Sequence, residues 1–261
     1  MNELYKKSNF LNPDIPFIFN NTIIEYDMEE AGYNLGREYG LFKDHELKKL
    51  SENTKANRKI IIGKMERDNK KFKELHQASF ELARKEFINR NELDNSEIIS
   101  IKKDAIITTR VCSFEKVGEY INFREKNRYS SYVNLNIRKI ELYYNSMKID
   151  VKGISDEKLK LHEDYMLDII NKFFKSMEKK SIDKTISMMR RFIDKYKAKE
   201  LPLNYYRRFD SFSEFQIIDA QDFYDESNIT IDDIDIGYNL LILLRLIKVC
   251  LIEGRRSKWR I

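Results

Sequence analysis

The chain has 261 residues, which suffices for one large domain or two small ones with a substantial hydrophobic core. Its 48 basic and 43 acidic side chains give a net charge of +5, which permits binding to a polyanion without requiring it. A hydrophobic fraction of 42% excludes an intrinsically disordered chain, and only 3 Pro and 8 Gly exclude collagen-like and Pro-rich sequences.

Cysteine content and hydropathy indicate a cytoplasmic protein, in the host cell if a phage encodes it. Two cysteines cannot form a disulfide framework or a Cys-rich zinc site, and the polar N-terminus does not resemble a signal peptide. The most hydrophobic stretch, residues 236–252, is interrupted by Arg245 and Lys248, so we expect no membrane span. It predicts a buried helix or, alternatively, an interface with a partner protein.

The first regular elements are a strand followed by a helix. Residues 22–26 are rich in β-branched and aromatic side chains, which favour a strand, and Asp27 ends this run. Residues 29–41 then predict a helix that stops near Gly40. Asp27 is therefore expected where a strand passes into a helix.

Residues 44–93 have a strongly helical composition. Apolar residues recur at the spacing of one or two amphipathic helices, and the opposite face is rich in Lys and Arg. Arg58, Lys59 and Lys64 belong to this basic face. Two interpretations stay open: an ordinary solvated helix surface, and a surface that faces phosphate groups.

A β-hairpin is the clearest local signal in the chain. Two β-rich runs, residues 98–101 and 105–109, flank a polar segment that places Asp104 at or beside a tight turn. The sequence predicts further strands at residues 120–123, 129–135, 139–144 and 148–151.

The pattern changes from strand to helix after Gly153, and no clear linker or internal repeat occurs. In the helical part, one apolar stripe is formed by Leu167, Ile170, Phe173, Phe174 and Met177. We therefore expect an α+β fold with an antiparallel sheet and a helical insertion, followed by a mainly helical part. The natural division is an α+β body at residues 1–154 and a helical domain at residues 155–261 that ends with the C-terminal helix.

Two carboxylates, Asp27 and Asp104, are the candidate chemical groups. If their strands are neighbours in one sheet, both carboxylates project from the same edge and can share Mg²⁺ or Mn²⁺ ions. Two such ions, about 3.5–4 Å apart, support phosphoryl transfer by activating the attacking oxygen and stabilising the leaving one. The alternative is that both are ordinary turn and cap residues, because Asp is common at such positions. The three histidines share no metal-ligand spacing.

The order of these elements resembles the palm of the family B DNA polymerases. Residues 24–35, IEYDMEEAGYNL, look like the first palm motif, whose Asp corresponds to Asp27. Residues 99–108, ISIKKDAIIT, look like the hairpin motif, whose second Asp corresponds to Asp104. In that family this pair of carboxylates holds the catalytic metal ions.

Two later segments extend the resemblance toward the thumb. Residues 126–129, KNRY, look like the Lys/Tyr motif that steadies the primer terminus, and residues 151–154, VKGI, look like the Lys-Gly that ends the palm. The resemblance implies a thumb-like domain at residues 155–261 and reduced helical fingers at residues 44–93. It also implies a set of nucleic-acid-binding residues: Lys126, Arg128, Tyr129, Lys152 and Gly153.

The leading hypothesis is a compact, phage-encoded nucleotidyltransferase that acts on a primer–template of DNA or RNA with two Mg²⁺ or Mn²⁺ ions. Asp27 and Asp104 would be catalytic, and Arg58, Lys59 and Lys64 would bind a nucleoside triphosphate. The fingers motif and the exonuclease domain of the family have no match. The missing fingers motif and the altered triphosphate bed at residues 30–34 favour a second hypothesis, a non-catalytic nucleic-acid-binding protein such as a replication accessory subunit or one half of a split polymerase. A third is a phage protein that binds and inhibits a host protein.

Overall fold

The fold combines α-helices with antiparallel β-strands, as the sequence predicts. A computed structural model of the chain describes residues 3–210 and 233–258. The strands of this part are β1 (Phe10–Leu11), β2 (Phe17–Ile18), β3 (Ile23–Met28), β4 (Ile98–Lys102), β5 (Ala105–Thr108), β6 (Phe123–Tyr129), β7 (Ser131–Asn134), β8 (Glu141–Tyr144) and β9 (Ile149–Lys152).

Of the α-helices that the structure describes, four lie between β3 and β4 in the chain, and the others follow β9. The helices of the described residues are α1 (Ala31–Glu38), α2 (Asp44–Ser51), α3 (Lys55–Asp68), α4 (Lys70–Arg90), α5 (Asp156–Lys160), α6 (Met166–Glu178), α7 (Ile182–Lys197) and α8 (Asp233–Lys258). Short 3₁₀ turns occur at Glu3–Lys6 and Leu203–Tyr205. None of the helices in this part of the chain is long and apolar enough to cross a membrane.

The first sheet has five strands in the order β1-β4-β5-β3-β6, all antiparallel. Alternate side chains of β3 point into a hydrophobic core, where Tyr26 packs on Phe87 of α4 with ring centroids 5.3 Å apart. Phe87 also contacts Phe123 of β6 at 4.4 Å. Since a strand alternates its faces, residues 25 and 27 lie on the opposite side from this core.

The predicted hairpin is confirmed, with β4 and β5 paired and Lys103 and Asp104 at the turn. The structure differs from the sequence analysis at β6, which runs from Phe123 to Tyr129 rather than over residues 120–123. β6 is an edge strand that pairs with β3 alone, so its charged side chains remain in solvent and disguise the strand pattern.

Three helices, not one or two, occupy residues 44–93. Asn69 ends α3 and also begins α4, where its side-chain oxygen accepts a hydrogen bond from the backbone N–H of Phe72. This junction breaks an otherwise continuous helical pattern, because the Asn69 backbone is extended. Thr54 caps α3 in the same way, through the N–H of Asn57.

The second sheet has four strands in the order β2-β7-β8-β9, also antiparallel. One face joins a core with α6, α7 and α8, where Tyr144 of β8 stacks on Phe174 of α6 at 5.0 Å. The stripe of apolar residues predicted around Phe173 and Phe174 is buried in this core, as expected for an amphipathic helix.

The chain forms two compact units whose boundary differs from the division expected at residue 154. The first unit comprises Met1–Ile15 and Asn21–Tyr129, and the second comprises Pro16–Asn20 and Ser130–Ile261. Strands β7 to β9 belong to the second unit because their apolar face packs against its helices. The predicted helical domain therefore has its own sheet.

Helix α8 contains the hydrophobic segment predicted at residues 236–252. Its residues Ile242, Leu243 and Leu246 are buried in the core of the second unit. Leu241 and Leu244 lie on the other face and are 56% and 44% exposed. The segment is thus a core helix that also presents leucines to solvent.

Candidate active site

The two candidate carboxylates lie on adjacent strands of the first sheet. Asp27 is near the end of β3, opposite Ala105 of β5, and Asp104 immediately precedes β5. The N–H of Met28 donates a hydrogen bond to the carbonyl of Asp104 at 2.8 Å. The structure therefore meets the condition stated from the sequence, that the two strands are neighbours in one sheet.

Burial and neighbouring charges act on Asp27 in opposite directions. Burial raises the pKa of this carboxyl above its usual value, the nearby Lys126 lowers it, and the carboxylate of Asp104 raises it again. The Lys126 Nζ lies 3.4 Å from Oδ2 of Asp27 and 3.9 Å from Oε1 of Glu25. Asp27 thus belongs to a small acidic group that one ammonium partly neutralises.

Glu25 is a member of this group that the sequence analysis missed. Its side chain is only 4% exposed, and its Oε2 accepts hydrogen bonds from Asn127 Nδ2 at 2.8 Å and from the Tyr129 hydroxyl at 3.0 Å. The signal was its spacing, because residues i and i+2 of a strand share a face and Glu25 precedes Asp27 by two. A buried carboxylate on the same face as Asp27 adds an oxygen donor.

The predicted nucleic-acid-binding residues fall in two places. In the first unit, Lys126, Arg128 and Tyr129 all lie on β6. Arg128 forms a bidentate ion pair with Glu125 and is 53% exposed, whereas Tyr129 is buried with its hydroxyl bonded to Glu25.

Lys152 and Gly153 belong to the second unit, at and just after the end of β9. Lys152 lies 3.0 Å from Asp150. Gly153 has φ +97°, and a Cβ there would lie 2.8 Å from the carbonyl oxygen of Lys139. The local backbone therefore requires glycine at this position, independently of any contact with nucleic acid.

A cavity of about 220 Å³ opens beside Asp104 in the first unit. Its wall combines the hairpin turn, the start of α1 and facing turns of α3 and α4. Four basic residues line it, and three carboxylates share the wall: Lys55, Arg58, Lys59 and Lys103, with Glu30, Glu66 and Asp104. The sequence analysis had identified Arg58 and Lys59 but not their proximity to Asp104, which depends on how the helices pack.

Arg58 is held in position at the cavity wall. Its Nη2 donates to Oε2 of Glu30 at 2.6 Å, and its Nη1 donates to the carbonyl of Asn53 at 2.7 Å. The guanidinium lies 4.8 Å from the ring centroid of Tyr33, which also lines the cavity. A fixed, stacked guanidinium of this kind is suited to bind phosphate oxygens.

His76 connects the three helices around the cavity. The ring is 2% exposed, with Nδ1 2.6 Å from Oε1 of Glu66 on α3 and Nε2 3.0 Å from the carbonyl of Gly32 on α1. The ring thereby links a carboxylate of α3 to a backbone carbonyl of α1. His76 was not a candidate from the sequence, because its partners are 10 and 44 residues away.

Lys64 does not share this cavity. It lines a separate space of about 490 Å³ with residues of α2 and α3, including Lys49 and Met65. The reason is helical geometry: five residues separate Lys64 from Lys59, which turns it by about 140° around α3 at roughly 100° per residue. The three cations grouped by the sequence analysis thus divide between two faces.

A family model described as Bacteriophage PBS1 gene 130 protein matches residues 1–252. The chain belongs to this family. The match supports a bacteriophage origin, which the sequence analysis expected. No curated protein matches the chain.

The carboxylates of this gene 130 family member suit a hard divalent cation that a substrate helps to bind. Among residues 3–210 and 233–258, no group of three or more His, Cys, Asp or Glu side chains is gathered as a metal site. Mg²⁺ commonly binds through one or two carboxylates together with substrate phosphates. Asp27 and Asp104 supply hard oxygen donors, and the raised pKa of Asp27 marks a carboxylate that a cation would stabilise. The donor set therefore fits Mg²⁺ or Mn²⁺.

Proposed function

We propose that this protein is a palm-type nucleotidyltransferase that joins a nucleotide to the 3′ end of a nucleic-acid strand. The observation that carries the proposal is the cavity beside Asp104, where four basic residues meet the end of a sheet that also bears Asp27. A nucleoside triphosphate needs this combination, because its phosphates require cations and its reacting phosphorus requires metal-binding carboxylates.

Each group has a distinct role in this proposal. Asp27 and Asp104 would hold two Mg²⁺ or Mn²⁺ ions, which supply activation of the 3′-hydroxyl and charge neutralisation at the phosphate. Arg58 and Lys59 bind the triphosphate, with Arg58 already fixed by Glu30. The cations on both sides of the cavity neutralise charge that builds up on the leaving pyrophosphate.

Nucleotide binding by this cavity is tested with two matched variants of α3. Lys59→Gln and Lys64→Gln remove the same charge from the same helix, but only Lys59 lines the cavity beside Asp104. We expect Lys59→Gln to weaken binding of a fluorescent ATP analogue about tenfold, because charge-assisted hydrogen bonds contribute roughly 1.5–3 kcal/mol. Lys64→Gln should bind as the wild type does. Equal losses in both variants would contradict a triphosphate site here.

Catalysis is tested by primer extension with Mg²⁺ or Mn²⁺ and all nucleotides. Extension by the wild type and its loss in both Asp27→Asn and Asp104→Asn would support the two-metal mechanism. Both substitutions preserve side-chain shape and remove one charge, so circular dichroism should show an unchanged fold.

One observation favours a second function, nucleic-acid binding without catalysis. The Lys126 ammonium lies within 4 Å of both Asp27 and Glu25, so a cation of the protein itself already accompanies the carboxylates. In that case the same assay gives no extension. Primer–template binding then weakens with salt, as phosphate contacts require, and is unchanged in Asp27→Asn and Asp104→Asn.

A further inference from the structure

A buried arginine outside the proposed active site lacks a negative partner. Arg84 of α4 is 1% exposed. Its Nε donates to the carbonyl of Tyr5 at 2.8 Å, and its Nη1 donates to the carbonyl of Lys103 at 2.7 Å. Both of these partners are neutral carbonyl oxygens rather than carboxylates.

An uncompensated buried charge is costly and requires an explanation. Burial lowers the pKa of Arg84, and the more distant charges of Glu81 and Asp104 raise it only in part. A guanidinium nevertheless stays protonated in proteins, so the positive charge remains. Burying a charge without a counterion is unfavourable, and an anion bound nearby would offset this cost.

A cavity of about 320 Å³ lies where that anion would bind. Arg84 lines it together with two lysines, Lys6 and Lys103, and two neutral hydrogen-bonding residues, Ser8 and Gln77. Its volume is at the lower end of ligand-binding pockets, about 300–1,000 Å³.

Charge and donor groups together favour an anion with several acceptor atoms. Glu81 is the single carboxylate in the lining, against three cations. Lys6 is 2.6 Å from Glu3 at the surface, and Lys103 Nζ is 3.9 Å from Oε1 of Glu66. Among the residues that the structure describes, Arg84 is therefore the cation in the lining that has no close carboxylate, and Lys103 adds a second, partly neutralised charge. The Ser8 hydroxyl and the Gln77 amide add neutral donors, which suit an oxyanion better than a chloride ion.

We propose that this second cavity is a phosphate-binding site, which takes the phosphate group of a nucleotide or of a nucleic-acid backbone. Lys103 and Phe80 line both this cavity and the one beside Asp104, so the two sites share a wall. The inference depends on Arg84 and its surroundings, and it stands whether or not Asp27 and Asp104 are catalytic.

Titration with inorganic phosphate, followed by backbone amide NMR shifts, tests the site. Arg84 donates hydrogen bonds to the Tyr5 and Lys103 carbonyls, so replacing it would also destabilise the fold. The test variant is therefore Gln77→Glu, which adds a negative charge at an exposed position of the lining. Lys71→Gln is the matched control, because it is exposed on the same helix, changes the net charge equally and does not line the cavity.

We expect phosphate to shift the amide signals around Ser8 and Lys103. Gln77→Glu should bind phosphate about tenfold more weakly, because like charges repel. Lys71→Gln should bind it as the wild type does. Competition by a DNA oligonucleotide without terminal phosphates identifies a backbone phosphate, whereas competition by a nucleoside monophosphate alone identifies a nucleotide. Absence of the shifts, or equal weakening in both variants, would overturn the proposal. Neither result depends on the primer-extension assay, so the two proposals fail separately.

Discussion

At the scale of single residues, Asp27 is a carboxylate whose burial opposes stability. Burial and the neighbouring Asp104 raise its pKa, and the Lys126 ammonium only partly offsets them. The folded protein therefore binds a proton at Asp27 more tightly than the unfolded chain does. Such perturbed groups cluster at functional sites, where charge is retained for its chemistry rather than for the fold.

The sign of the effect on stability follows from linkage. The folded-state pKa of Asp27 lies above its ordinary value of 3.8. Protonated Asp27 therefore contributes favourably to the free energy of unfolding, and this contribution is fully present below pH 3.8. The contribution is lost as the pH rises through the raised pKa. Asp27→Asn cannot ionise, so we expect it to be more stable than the wild type at pH 7, with a smaller difference at pH 4.

Urea unfolding at the two pH values measures this difference. Asp68→Asn, which changes a carboxylate that is 65% exposed on α3, is the control for a general effect of net charge. A variant Asp27→Asn that is less stable than the wild type at pH 7 would contradict the assignment, because the ion pair with Lys126 would then outweigh burial.

At the scale of elements, one face of α4 has two roles at different points along the helix. Phe87 is fully buried and packs between Tyr26 of β3 and Phe123 of β6, so the helix supports the strand that carries Asp27. His76 and Phe80 of the same helix line the cavity beside Asp104. One helix thus connects the core behind the sheet with the proposed nucleotide site.

The supporting role of α4 predicts unequal costs for two truncations on it. Phe87→Ala should lower the free energy of unfolding by about 3–5 kcal/mol, the usual cost of a large cavity in a core. Leu82→Ala, at a position 49% exposed, should change it by less than about 1 kcal/mol. Guanidinium unfolding compares the two, and similar losses would mean that α4 does not pack as described.

At the scale of the whole molecule, the chain crosses between the two units more than once. Pro16–Asn20 belongs to the second unit although the residues on both sides of it belong to the first. The link is β2, whose Phe17 pairs with Val133 of β7 and is 4% exposed. A short segment near the N-terminus thus completes a sheet built mostly from residues beyond 130.

This crossing predicts where a mutation near the N-terminus acts. Phe17→Ala should reduce hydrogen-exchange protection in β7 to β9 of the second unit, because it removes apolar surface from that core. Protection in β3 to β5 should change much less. Hydrogen-exchange mass spectrometry resolves these segments. The control is Phe114→Ala, because Phe114 belongs to the first unit and is 57% exposed. Loss of protection in β3 to β5 alone would contradict the division into units.

The sequence by itself determined the α+β class, the β4–β5 hairpin with Asp104 at its turn, and the apolar stripe of α6. These features depend on local periodicity and turn chemistry, so residues that are close in the sequence suffice to predict them. The sequence did not place β6 correctly, because an edge strand with charged side chains has no alternating apolar pattern.

Only the tertiary structure decided which groups share a site. The pairing of β3 with β5 put Asp27 beside Asp104, and the packing of α3 and α4 put Arg58 and Lys59 beside Asp104 while turning Lys64 away. It also buried Glu25, whose partners lie 102 and 104 residues away in the sequence. The partners of the buried Arg84 lie 79 and 19 residues away. Contacts over such separations depend on register and helix packing, and no local pattern encodes them.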